Sequence, residues 1–110
     1  MLFDSHAHLD DRRFDKDRDQ VIKDAKANGV SYIMNVGADL GTSIKAVNMA
    51  EKYDMIYAAV GVHPHDVKDM DDDTIEIFKS LCNKEKVMAI GEIGLDFHYD
   101  NSPRDQQRYW

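Results

Sequence analysis

Three short stretches gather histidines and carboxylates: Asp4-Ser5-His6-Ala7-His8, Gly61-Val62-His63-Pro64-His65 and Gly91-Glu92-Ile93-Gly94-Leu95-Asp96. His6 and His8 are two apart. In a strand that spacing puts both side chains on one face, where two imidazoles can bind one ion. A surface pair, or one core histidine beside an exposed one, has the same spacing. Asp4 on that face and the small Ser5 and Ala7 favour the metal reading, with Asp4 as a supporting hydrogen-bond acceptor rather than a ligand. Glu92 lies in an otherwise apolar, strand-like segment, where a carboxylate is costly unless it meets a cation or a metal. A salt bridge to a lysine or arginine would satisfy it; so would metal, and its two oxygens can bridge two cations. The candidate metal ligands are therefore His6, His8 and Glu92.

His63-Pro64-His65 directly follows a strand-like run. The proline sets the turn and pushes His63 toward extended backbone. Histidines so placed can touch a substrate phosphate, donate a proton or simply cap a loop; the substrate role is assigned first to His63 and then to His65. Asp96 and His98 fall at the same rim, Asp96 as an orienting group and His98 as a solvated loop residue. The acidic run Asp69–Asp73 reads as helix-capping charge. The methionines, among them Met34, Met49, Met55 and Met88, and the single Cys82 read as core packing.

The elements that must position these groups alternate strand and helix. Leu2–Leu9 alternates, with Phe3, Ser5, Ala7 and Leu9 on one face and Leu2, Asp4, His6 and His8 on the other. Asp17 and Gln20 resemble a capping box ahead of Val21, Ile22 and Ala25, and Gly29 stops that helix. Val30–Val36 is β-branched and aromatic, and Ile44, Val47, Ala50 and Tyr53 mark a second helix. Met55–Val62 is a near-continuous apolar run, as in a parallel strand buried on both faces. Asp71–Asp73 heads a third helix with Ile75, Phe78, Leu81 and Cys82, and Val87–Ile93 is the fourth strand. Ser102 as cap and Pro103 as first residue open a fourth helix. Strand starts at 2, 30, 55 and 87 repeat at βα-unit lengths of roughly 25–32 residues. The fold class is α/β with a parallel sheet, in which active groups collect at the C-terminal ends of strands.

A chain of 110 residues with 43% hydrophobic and 32% charged residues is ordinary single-domain material. No apolar run approaches a membrane span, no signal peptide is evident, and one cysteine allows no internal disulfide. These features point to the cytoplasm and away from a membrane. A net charge of −7 argues against a broad basic face for nucleic acid, an objection that bound divalent cations would weaken.

Taken together, FDSHAHLD, GVHPH and AIGEIGLDF resemble the TatD family of metal-dependent deoxyribonucleases, and the resemblance runs from Phe3 to the SPRDQQ segment. It implies a (β/α)8 TIM-type barrel of the amidohydrolase-like superfamily, with residues 1–110 as the N-terminal part, about four strands. It further implies that His6 and His8 bind one of one or two divalent ions (Mg²⁺, Mn²⁺ or Zn²⁺), that Glu92 bridges to the second, and that His63 belongs to the active site. The family's further ligands, two histidines and an aspartate on later strands, have no counterpart in these residues. The implied reaction is hydrolysis of DNA phosphodiester bonds by metal-activated water, with the remaining half of the barrel needed for a complete site. Two alternatives stand beside it: an amide or ester hydrolase of the same superfamily, and a non-catalytic half-barrel that acts only in assembly.

Overall fold

Apolar, β-branched segments and amphipathic helices alternate along the chain, and each strand lies parallel to the one before it. A computed structural model describes all residues, 1–110. The strands are β1 (Leu2–Ala7), β2 (Val30–Val36), β3 (Ile56–Val60) and β4 (Val87–Ile90), in the spatial order β1-β2-β3-β4. The helices are α1 (Arg18–Ala27), α2 (Leu40–Lys52), α3 (Asp72–Cys82) and α4 (Arg104–Tyr109), with 3₁₀ turns at Arg12–Phe14 and Val67–Asp69. All three strand pairs are parallel, the arrangement that crossover helices impose.

One face of the sheet is sealed by helices. Ile33, Ile56, Ala58 and Val60 pack with Ala46, Val47 and Ala50 of α2, Ile22 of α1 and Phe78 of α3. Residues of opposite pleat, including Met34, Val36, Ala59 and Ala89, line an open cleft of about 460 Å³ that also reaches Phe3, His6 and Glu92. Period-two alternation thus separates a packed face from the face that carries the chemistry.

Helix starts follow the expected chemistry at two places and depart from it at two others. Asp39 and Asp71 cap α2 and α3, each accepting from the N–H of Thr42 or Thr74 in a reciprocal capping box. This confirms the acidic run before α3 as a cap. Asp17 does precede α1, but its side chain makes no capping bond, and Gln20 instead donates to Asp24. Ser102 does not cap α4 either: Pro103 holds that position, and the Ser102 hydroxyl is buried against the loop of His65.

Other expectations are corrected by the sheet edge. β4 ends at Ile90, three residues short of the predicted strand, so Glu92 lies beyond it and is half-buried. β4 has a neighbour on one side only, which leaves Met88 exposed rather than core-facing. Met49 is buried, and Met34 and Met55 are partly so. Cys82, at the end of α3, is exposed and not packing filler. On α2 the buried face includes Ser43, Ala46, Val47 and Ala50, while Ile44 is turned outward.

Candidate metal centre

His6 belongs to β1, His8 follows it directly, and Glu92 follows β4, so the candidate ligands come from the two edges of the sheet. In a flat sheet the first and fourth strands stand roughly 14 Å apart, three spacings of about 4.8 Å. Here His6 Nε2 and Glu92 Oε2 are 3.6 Å apart. The sheet must therefore curl, and the long side chains must lean inward, to bring them together. One donor atom from each of His6, His8 and Glu92 falls within a group no wider than 4.8 Å.

Backbone packing fixes these ends. Gly61 follows β3, and a Cβ there would sit 2.7 Å from the Gly91 carbonyl carbon, so only glycine lets the chain before Glu92 come this close. Gly91 N–H then donates to Val60 O and Glu92 N–H to Gly37 O, at 2.9 and 2.8 Å. Gly37 is equally confined: a Cβ would lie 2.2 Å from Ser43 Oγ. That buried hydroxyl donates to Gly61 O and accepts from Gly61 N–H, satisfying both backbone groups where the ladder ends. On the other edge, Asn35 accepts from Leu9 N–H and donates to Asp10, pinning the turn that follows His8.

The tautomers follow from the partners. His8 Nδ1 lies 2.9 Å from Val36 O, and a carbonyl can only accept, so Nδ1 carries a proton and in the neutral ring Nε2 presents its lone pair. His6 Nε2 is 3.1 Å from that lone pair. Two ligands each about 2.1 Å from one ion lie no more than about 4.2 Å apart; the His6–His8 and His6–Glu92 spacings both meet that limit. The donor set, two imidazole nitrogens and a carboxylate, suits a divalent cation. Asp4 Oδ1 accepts from the backbone N–H of His6 at 3.2 Å and not from a ligand imidazole.

His63 faces the cluster from the loop after β3. The backbone N–H of His65 donates to His63 Nδ1 at 3.1 Å, so in the neutral ring Nε2 bears the proton, and it lies 3.7 Å from Glu92 Oε1. His65 turns away and pairs with Asp96 at 2.5 Å. That contact, with backbone N–H groups of Tyr99 and His98, holds the Asp96 carboxyl below its usual range. Asp96 thus orients a neighbour as expected, and His98 is exposed. Asn35, Ser43 and Gln107 are not singled out from sequence, and Ser102 only as a helix cap; the signal for Asn35 is a polar residue inside the apolar run Val30–Val36.

A family model described as TatD related DNase matches residues 3–110. The chain belongs to that family. It is 50% identical over 108 residues to the "Uncharacterized metal-dependent hydrolase YabD" of Bacillus subtilis, a match covering 98% of this chain and 42% of that protein. It is 36% identical over 107 residues to the "3'-5' ssDNA/RNA exonuclease TatD" of Cronobacter sakazakii, covering 96% and 41%. Among solved structures, the TatD homologue YJJV of Escherichia coli K12 superposes with a TM-score of 0.87 at 29% identity, covering 98% of this chain and 42% of that one. The four strands and their helices thus match the first part of the TatD barrel, and the chain spans about two-fifths of the length of these relatives.

Proposed function

We propose that this chain carries the first half of the metal centre of a TatD-type nuclease that hydrolyses phosphodiester bonds in DNA. One observation carries the reading: His6, His8 and Glu92 converge from opposite sheet edges, with His8 Nε2 turned to His6 Nε2 and its Nδ1 held by Val36 O. The relatives named as metal-dependent hydrolase and as ssDNA/RNA exonuclease support it.

In this reading His6, His8 and Glu92 would hold one divalent cation, with Glu92 also reaching a second, the ions being Mg²⁺, Mn²⁺ or Zn²⁺. Such cations activate water and neutralise charge on phosphate oxygens. Val36 keeps the His8 ring in its ligand tautomer. His63 directs its Nε2–H toward the cluster, where it can orient a phosphate oxygen or protonate the leaving oxygen. His65 contacts the substrate two residues further along the rim. The later strands of the barrel supply the remaining ligands, so the 110-residue chain alone binds metal without turnover.

Calorimetric titration of the chain with Mn²⁺ or Zn²⁺ tests the first part. A site should be present and should weaken at least roughly tenfold in His8→Ala and in Glu92→Ala. A chimera in which residues 1–110 replace the matching part of the Cronobacter sakazakii exonuclease tests the second. It should shorten single-stranded DNA only with divalent metal, and His6→Ala should abolish this. A folded, metal-loaded chimera that spares DNA and hydrolyses N-acyl amino acids would move the protein to the amidohydrolase side instead.

A further inference from the structure

The pair His65–Asp96 is the strongest polar contact beside the cluster that the metal reading leaves unused. Asp96 is held firmly. Its Oδ1 accepts from the N–H groups of His98 and Tyr99 at 2.9 and 3.2 Å. Its own N–H donates to Gln107 Oε1 at 2.8 Å, and its carbonyl accepts from Gln107 Nε2 at 3.1 Å. Gln107 is buried, at 4% exposure. The other partner is anchored by the buried Ser102, whose hydroxyl donates to His65 O at 2.8 Å.

An ionised carboxylate only accepts, so His65 Nε2 carries a proton toward Asp96. Nδ1 of the same ring has no partner. No buried side-chain nitrogen or oxygen in the molecule lacks one, and the His65 side chain is 32% exposed, so Nδ1 is not sealed from solvent. The His63 ring lies edge-on at 4.2 Å, and His63 in turn lies 3.7 Å from Glu92. The open nitrogen therefore belongs to a ring one step removed from the metal ligands.

We propose that His65 and Asp96 form a phosphate subsite beside the metal centre, with Asp96 as a positioning residue and His65 taking a proton from solvent as phosphate binds at Nδ1. Phosphate oxygens only accept. With Nε2 committed to Asp96, the ring can donate to phosphate only when both nitrogens are protonated, and the Asp96 carboxylate balances the added charge. Binding and protonation are then one linked event, tighter at lower pH. The ring meets His63 and Tyr99 edge-on and pairs with Asp96; the other titratable or charged groups on the segments that carry these partners are Asp66, Lys68, His98, Asp100 and Arg104. Lys68 Nζ donates to Asn101 O, and Arg104 pairs with Asp100. The assignment of the phosphate to a nucleic-acid strand rests on the nuclease reading.

Histidine side-chain ¹⁵N NMR of the 110-residue chain, without divalent metal, tests it. The probes are inorganic phosphate and the 5′-phosphorylated dinucleotide pTpT. The His65 titration midpoint should rise when pTpT is present, its Nδ1 resonance should move, and pTpT should bind more tightly than phosphate. Asp96→Asn keeps an acceptor for Nε2–H and removes the charge; it should weaken pTpT binding roughly tenfold, and Asp96→Glu should recover part of that loss. Binding within twofold of wild type in Asp96→Asn, or a probe response at His63 with none at His65, would overturn the proposal. If Asp96→Asn fails to fold, the wild-type resonances decide alone. Because no metal is present, loss of this subsite and failure of the metal centre are read separately.

Discussion

Val36 decides which nitrogen of His8 is free, and His65 does the same for His63, in each case through a backbone atom. Chemistry at this rim therefore depends on main-chain positions as much as on the side chains that perform it. Asp96 adds a pH dependence. Its carboxyl is held low in the folded state, first by His65, whereas in the unfolded chain it titrates near about 3.9. The unfolded chain thus takes up the proton first as pH falls. Stabilisation from Asp96 is complete above that value and disappears as pH drops through the folded one. Urea midpoints of wild type and Asp96→Asn should differ near pH 6, and the difference should begin to shrink only as pH falls below about 4. The ligand trio His6, His8 and Glu92 was legible in the sequence because each carries a reactive type at a strand end. Gln107 was not: its amide works on the backbone of Asp96, eleven residues upstream, and nothing in RDQQRY marks which glutamine is buried.

At the scale of elements, the close approach of β3 to the Gly91–Glu92 segment is what aims the carboxylate. Gly61→Ala would drive a methyl group into the Gly91 carbonyl. It should weaken metal binding several-fold while leaving the helical circular dichroism signal near wild type, a split that calorimetry and spectroscopy can resolve. Ser43→Ala strips the partner from both backbone groups of Gly61 and should cost about 1–3 kcal/mol in chemical denaturation. The strand–helix alternation was readable from periodicity alone, but the phase of α2 was not. Counting apolar residues selects Ile44 for the inner face, yet the inner position belongs to Ser43, whose hydroxyl closes the end of β3. Likewise Ser102 has the sequence context of a cap but spends its hydroxyl on His65 and Lys68. Local patterns rank residues by hydrophobicity and capping preference; partners distant in sequence override both.

Over the whole molecule, the sheet is sealed by helices on one side and open on the other. Phe3, Met88, Ile90, Ile93 and Leu95 are each more than half exposed. An apolar surface of this kind, next to two unpaired parallel edges, favours association. The isolated chain should gain mass with concentration in sedimentation, and Ile90→Lys should reduce that gain; a monodisperse wild-type monomer at high concentration would contradict it. The barrel architecture was readable from sequence through its motifs rather than its periodicity, since open and closed parallel sheets share the same strand–helix rhythm.

The convergence of His6 and Glu92 from opposite margins has a mechanical consequence. A cation held between them would act as a strain gauge for the arc of the sheet, because flattening the arc separates its donors before any strand melts. Affinity for the ion should therefore fall early in mild denaturant, ahead of the loss of secondary structure. Binding the ion should, by the same coupling, stiffen the bend.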